Sequence, residues 1–287
     1  MKQILLCTDG SLFSQSSYKY GAWLANRLQA KVDVIYVTDT RRTTVAETRN
    51  LSGSVGFGAA EALLNQLVAL EHEKAKLDRQ RAQIILEDAR QVLSDNGVKQ
   101  IELIHETGFL VDCLESFEEE ADLIILGKRG ETAEFASRHL GANIERIVRA
   151  SSKPCLVTSR QFKPVQRLLL AYDGSPSGQK MLQFLIDSPA LKGLELYIIT
   201  VGKNSEDETA IATIEEAQQK SQMGGFKPIS ILKEGSPEIA IATCAEENKI
   251  DLLMMGAYGH NRIRYLVIGS TTTQILRTTK IPVLLFR

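Results

Sequence analysis

The chain has 287 residues, 44% hydrophobic and 24% charged, with a formal net charge of −1, which suits two soluble domains that each bury a core. Without a long basic block, neither a nucleic-acid nor a membrane surface is expected, and a small molecule or another protein is the expected partner. No apolar run approaches the roughly 18 residues of a membrane span, Met1–Gly10 is too short and polar for a signal peptide, and Cys7, Cys113, Cys155 and Cys244 lack C-x-x-C spacing, as reduced thiols of a cytoplasmic protein would.

Met1–Gly10 reads MKQILLCTDG, an apolar run ending in Asp9-Gly10 and followed by Ser11. Thr40–Gly58 is polar and Gly-rich and reads as a loop. Ala59–Asn96 has no Gly or Pro; Leu63, Leu64, Leu67, Leu70, Leu77, Ile84, Ile85 and Ala89 recur at helical spacing, so one long helix or two consecutive ones are expected. The mixed charges of Glu71–Arg81 read as a solvated face of it, with a partner-binding role as the alternative. Ala121–Gly130 (ADLIILGKRG) is Asp122, four apolar residues and G-x-x-G, and Lys153–Val157 (KPCLV) closes the half. Lys163-Pro164 then interrupts the pattern, dividing the chain into domains 1–160 and 164–287.

The second half repeats the first. Arg167–Gly174 (RLLLAYDG) precedes Ser175, Ile250–Gly259 reads IDLLMMGAYG, and Lys280–Leu284 (KIPVL) closes it. Asp9 and Asp173 are 164 residues apart but Gly127 and Gly256 only 129, so the first half carries about 35 extra residues before its fourth strand. Leu168–Tyr172, Leu194–Val201, Ile229–Leu232, Leu252–Met255 and Val283–Phe286 are near-continuously apolar, as strands buried on both faces are. Ser177–Ile186, Glu206–Gln222, Pro237–Glu247 and Thr271–Arg277 are predicted helices, with Ser236 at N-cap and Pro237 at N1 of the third. This alternation implies parallel, doubly wound sheets, whose ligands bind beyond the carboxyl ends of the strands at the switch point.

The stretch Gly256–Thr273 (GAYGHNRIRYLVIGSTTT) runs from a predicted strand into a predicted helix. Gly256 and Gly259 lack a Cβ, so a ligand can approach the backbone closely. Gly269-Ser270-Thr271-Thr272 opens the helix, where free N–H groups, the dipole and hydroxyls favour a phosphate. Asp173, at the end of the half's first strand, is placed to accept bonds from ribose hydroxyls or an adenine amine. The bland alternatives are a turn needed for packing and, for Asp173, a helix N-cap that Ser175 or Ser177 could equally supply. His260, Arg262 and Arg264 either touch phosphates or form a solvated loop face. His72, His105 and His139 have no metal-like spacing.

A strand ending in Asp-Gly-Ser, combined with G-x-x-G-x(9)-G-[ST], resembles the universal stress protein family, and the resemblance covers nearly the whole chain twice. It implies two tandem α/β domains of Rossmann-like type, each a doubly wound five-stranded parallel sheet in strand order 3-2-1-4-5. Cys155–Thr158 and Val283–Phe286 would pair into an internal pseudo-dimer. It further implies ATP, with or without Mg2+, in the second half: adenine and ribose at Ala171, Asp173 and Val201, phosphates at Gly256, Gly259, Gly269, Ser270 and Thr271. The first half keeps Asp9 but spaces Gly130 and Gly141 by ten residues, has Ala142 in place of a hydroxyl, and adds Glu131 and Glu134, so weak or no ATP binding is expected there.

The expected function is therefore nucleotide-dependent regulation through an unknown protein partner in a stress response, with a homodimer of the tandem chain open. No Walker A, G-x-G-x-x-G or G-x-S-x-G motif suggests an enzyme. The alternatives are slow ATP hydrolysis or autophosphorylation at Ser270 or Thr271, and a ligand-free interaction scaffold.

Overall fold

The computed structural model describes residues 2–39, 57–128, 142–257 and 269–287, with only the backbone of residues 57–64 and 142–143. The first half runs β1 (Gln3–Thr8), α1 (Leu12–Leu28), β2 (Lys31–Asp39), α2 (Phe57–Asp95), β3 (Ile101–Gly108), α3 (Leu110–Glu118), β4 (Leu123–Gly127), α4 (Ala142–Ala150) and β5 (Cys155–Thr158). The second runs β6 (Arg167–Ala171), α5 (Pro176–Asp187), β7 (Glu195–Gly202), α6 (Glu208–Met223), β8 (Ile229–Glu234), α7 (Pro237–Glu247), β9 (Leu252–Gly256), α8 (Ser270–Thr278) and β10 (Val283–Phe286).

The strands form one ten-stranded sheet in the order β3-β2-β1-β4-β5-β10-β9-β6-β7-β8. Within each half all neighbours are parallel, in the expected order 3-2-1-4-5. The halves join where β5 and β10 pair antiparallel, with Leu156 opposite Leu284 and Cys155 opposite Leu285. Parallel strands need helical crossovers, so both faces are covered and successive residues of a strand enter different cores. Ile4, Leu6, Leu168, Leu170, Met254 and Leu284 face the layer of α1, α2, α5 and α6. Leu5, Cys7, Leu169, Leu253, Met255 and Leu285 face the layer of α3, α4, α7 and α8. Each core runs unbroken across the β5–β10 joint.

Polar bonds reinforce that joint. Arg27 of α1 donates to the carbonyls of Ala190 and Lys192 in the second half, and Arg287 donates to the carbonyl of Arg149 at 2.6 Å.

Residues 59–96 lie within one helix, not two, apart from Asn96, which follows its end. Phe57 and Gly58, expected in the preceding loop, belong to its first turn, where N–H groups have no intrahelical partner to lose. The rest of the expected 40–58 loop lies outside the described residues. Ser236 and Pro237 stand at the N-cap and N1 of α7, although the Ser236 hydroxyl makes no capping bond.

Candidate functional site

Strand β6 is the switch point of the second half: β7 and β8 extend on one side of it, β9 and β10 on the other. Ala171 is its last residue, opposite Ile199 on β7 and Met255 on β9. Val201 lies near the end of β7, and Gly256 ends β9 opposite Phe286. Ala171 and Val201 are partly buried against the core under α3, α4, α7 and α8. The residues expected to meet adenine and ribose thus share one edge of the sheet, the carboxyl ends of its strands.

Asp173 follows on an exposed turn. Its Oδ1 accepts the Ser175 N–H at 3.0 Å, and Gly174 turns the chain at φ +72°, a conformation for which glycine is suited. Ser175, not Asp173, is the N-cap of α5: its Oγ accepts the Gly178 N–H at 3.1 Å. Gly178 is a residue the sequence reading passed over. A Cβ there would lie 2.9 Å from Asp173 Oδ1, so glycine is what lets the first turn of α5 pack against the carboxylate. Beneath the turn, burial pushes the Tyr172 hydroxyl up to about 12, so it stays a neutral phenol.

The glycine motif is held at both ends. Gly269 is the N-cap of α8, and no side chain caps that helix. Its N–H donates to the Ala257 carbonyl at 3.2 Å, and the buried Thr272 hydroxyl bridges to the carbonyls of Gly256 and Ala257 at 3.2 and 3.3 Å. The strand end and the helix start are therefore fastened directly together, leaving Ser270 exposed and Thr271 half-buried at the helix mouth. Thr272 is a second residue missed from the sequence; the third hydroxyl of the Gly-Ser-Thr-Thr run was the available signal. Gly259 and His260, Arg262 and Arg264 lie outside the described residues. Among the described residues, no group of three or more His, Cys, Asp or Glu is placed to hold a metal ion.

The first half builds the same turn and then covers it differently. Asp9 Oδ1 accepts the Ser11 N–H at 3.0 Å and the Ser14 hydroxyl at 2.9 Å, and Gly10 has φ +74°. A Cβ on Gly10 would lie 2.7 Å from Ile85 of α2, whereas one on Gly174 would meet only Thr213 of α6, at 3.4 Å. The lysine after Gly127 is committed elsewhere: Lys128 is buried and its ammonium donates to the Thr279 carbonyl, across the joint. Glu131 and Glu134, with Gly130 and Gly141, lie outside the described residues.

The doubly wound halves, each with an Asp-Gly-Ser turn and a glycine at the end of its fourth strand, define a tandem α/β protein built on one mostly parallel sheet. The model of the universal stress protein family matches residues 1–159 and 164–287, and the chain belongs to that family. It is 55% identical over 287 residues to a universal stress protein of Synechocystis, covering 100% of both chains. A universal stress protein of Archaeoglobus fulgidus superposes with a TM-score of 0.73 at 20% identity, covering 99% of this chain and 96% of that one; that likeness shows the fold. A universal stress protein solved in complex with cAMP is 25% identical, with a TM-score of 0.37, and covers 44% of this chain and 98% of that one. No described helix is long and apolar enough to cross a membrane.

Proposed function

We propose that the second half binds ATP and that the bound nucleotide regulates an interaction with another protein in the cytoplasm during stress, rather than serving catalysis. The observation that carries this reading is the fastening of Gly256 and Ala257 to the start of α8 by Thr272 and Gly269, beside the Asp173 turn at the switch point of the sheet. An uncapped helix N-terminus offers N–H donors and a positive dipole end to a phosphate. In this reading Ser270 and Thr271 add hydroxyl donors, Gly256, Gly259 and Gly269 give the backbone close approach, Ala171 and Val201 form the apolar bed for adenine, and Asp173 accepts from the ribose. Any Mg2+ rides on the phosphates.

Calorimetric titration of ATP into nucleotide-free protein tests it. One site per chain is expected, lost in Gly269→Val, because a branched side chain obstructs the helix mouth. Two sites would mean that the Asp9 turn also accepts nucleotide despite Ile85. No binding would remove the nucleotide reading.

A further inference from the structure

We propose that α2 is a self-association element that packs antiparallel against α2 of a second copy of this chain. The two halves differ most in this helix: α2 has 39 residues where its counterpart α6 has 16. The extra turns, about 35 Å of helix at 1.5 Å per residue, extend its N-terminal end. The helix docks on its own sheet through Ala82, Leu86, Ala89 and Leu93, all buried. Followed toward the N-terminus, that face passes through Arg79, Ala75, His72 and Val68, all exposed.

A second apolar stripe of the extension runs along the side of the helix away from that face, since each residue turns the helix by about 100°. Leu70, Leu77 and Ile84 repeat every seven residues and are 65%, 62% and 70% exposed; Leu67, in the same stripe, is 42% exposed. A seven-residue apolar repeat is the seam of a coiled coil, not a face for the helix's own sheet. At its C-terminal end the stripe enters an open cavity of about 460 Å³, lined by Leu77, Gln80, Arg81, Ile84 and Ile85 with Asp9 and Gly10.

The pattern selects a second copy and its direction. Lys74 and Arg81 complete the stripe, and Glu71, Glu73 and Asp78 flank it. A parallel pair would set Lys74 on Lys74 and Arg81 on Arg81. Reversed, the stripe is complementary to itself: Leu67 faces the partner's Ile84, Leu70 the partner's Arg81, and Lys74 the partner's Leu77. The aliphatic stems of Lys74 and Arg81 then cover leucines, and their charged heads reach the acidic flanks.

Sedimentation velocity on the full chain over a concentration series, without nucleotide, tests this independently of the ATP site. The wild type is expected at twice the chain mass. Leu70→Glu/Leu77→Glu is expected to sediment as a monomer, its dissociation constant raised at least about 100-fold, with an unchanged far-ultraviolet circular dichroism spectrum. Met223→Glu, which places the same charge at an exposed apolar site on α6, should stay dimeric. Under oxidation, Leu67→Cys/Ile84→Cys should cross-link between chains. A wild-type monomer throughout, a dimer indifferent to Leu70→Glu/Leu77→Glu, or self-cross-linking of Leu70→Cys in place of the Leu67–Ile84 pair would overturn the proposal.

Discussion

Thr272 and Ser270 stand two residues apart in one run of hydroxyls, yet the structure gives them different work. The Thr272 hydroxyl is buried and spends its hydrogen on the carbonyls of Gly256 and Ala257, whereas Ser270 is exposed. Thr272→Val keeps the shape and removes the donor to the Gly256 and Ala257 carbonyls, of which Ala257 keeps the Gly269 N–H. It should cost about 1–2 kcal/mol of stability, read by urea unfolding, and weaken ATP binding by loosening the helix mouth. Ser270→Ala should weaken ATP binding with stability unchanged within about 0.5 kcal/mol. Equal losses of stability would erase the distinction between clamp and ligand donor. A run of four small residues announces a helix start, but only the folded strand end decides which hydroxyl is consumed by it.

The buried thiols have a consequence at high pH. Burial, with a smaller contribution from Glu118, raises the Cys155 thiol from 9.0 to about 12, and burial also raises Cys7. The native state therefore holds these protons when the unfolded chain has begun to release them. The stability they contribute is complete below pH 9 and is lost as pH rises from 9 toward the folded value. For Cys155 alone the slope approaches about 1.4 kcal/mol per pH unit in that window. Chemical denaturation at pH 7 through 10.5 should show a flat region and then a decline, shallower in Cys155→Ala. An identical alkaline slope in that variant would show the thiol to be irrelevant.

At the scale of elements, the repeat made the architecture readable. Two Asp-Gly-Ser turns and two apolar runs ending in glycine placed β1, β4, β6 and β9 without any pairing information, and β10 and α7 fall on the expected residues. Helical spacing also showed α2, but not its continuity, because the same spacing fits one long helix or two consecutive ones. The different lids over the two turns were hidden as well. That Ile85 covers Gly10 while Thr213 stands off Gly174 depends on the depth at which each helix docks. The difference is measurable. Gly174→Ala faces the cost of a positive φ, about 1–2 kcal/mol, with room for the methyl group. Gly10→Ala faces the same cost and in addition a methyl 2.7 Å from Ile85. Urea unfolding should rank Gly10→Ala clearly below Gly174→Ala, and Ile85→Ala should relieve part of the Gly10→Ala loss. Equal effects of the two glycine substitutions would mean that α2 moves aside freely.

At the scale of the molecule, the joint matters more than either half. The apolar strands β5 and β10 were expected to pair, and they do; the polar bonds that lock the joint had no signature in the sequence. Lys128 reads as one more cation in a glycine loop, and only the folded chain sends it to Thr279. With both cores continuous across β5 and β10, neither half can open without exposing apolar surface in the other, so the two should unfold as one unit. The single tryptophan, Trp23, sits on α1 in the first half, far along the chain from the candidate nucleotide site in the second. A ligand that binds only the native state adds stability to the whole cooperative unit, about 2.7 kcal/mol at a concentration 100 times its dissociation constant. Saturating ATP should therefore raise the unfolding midpoint seen by Trp23 fluorescence as much as the midpoint seen by circular dichroism. If ATP shifts the circular dichroism transition and leaves the Trp23 transition in place, the halves unfold separately. In that case the continuous sheet does not transmit the occupancy of one half to the other.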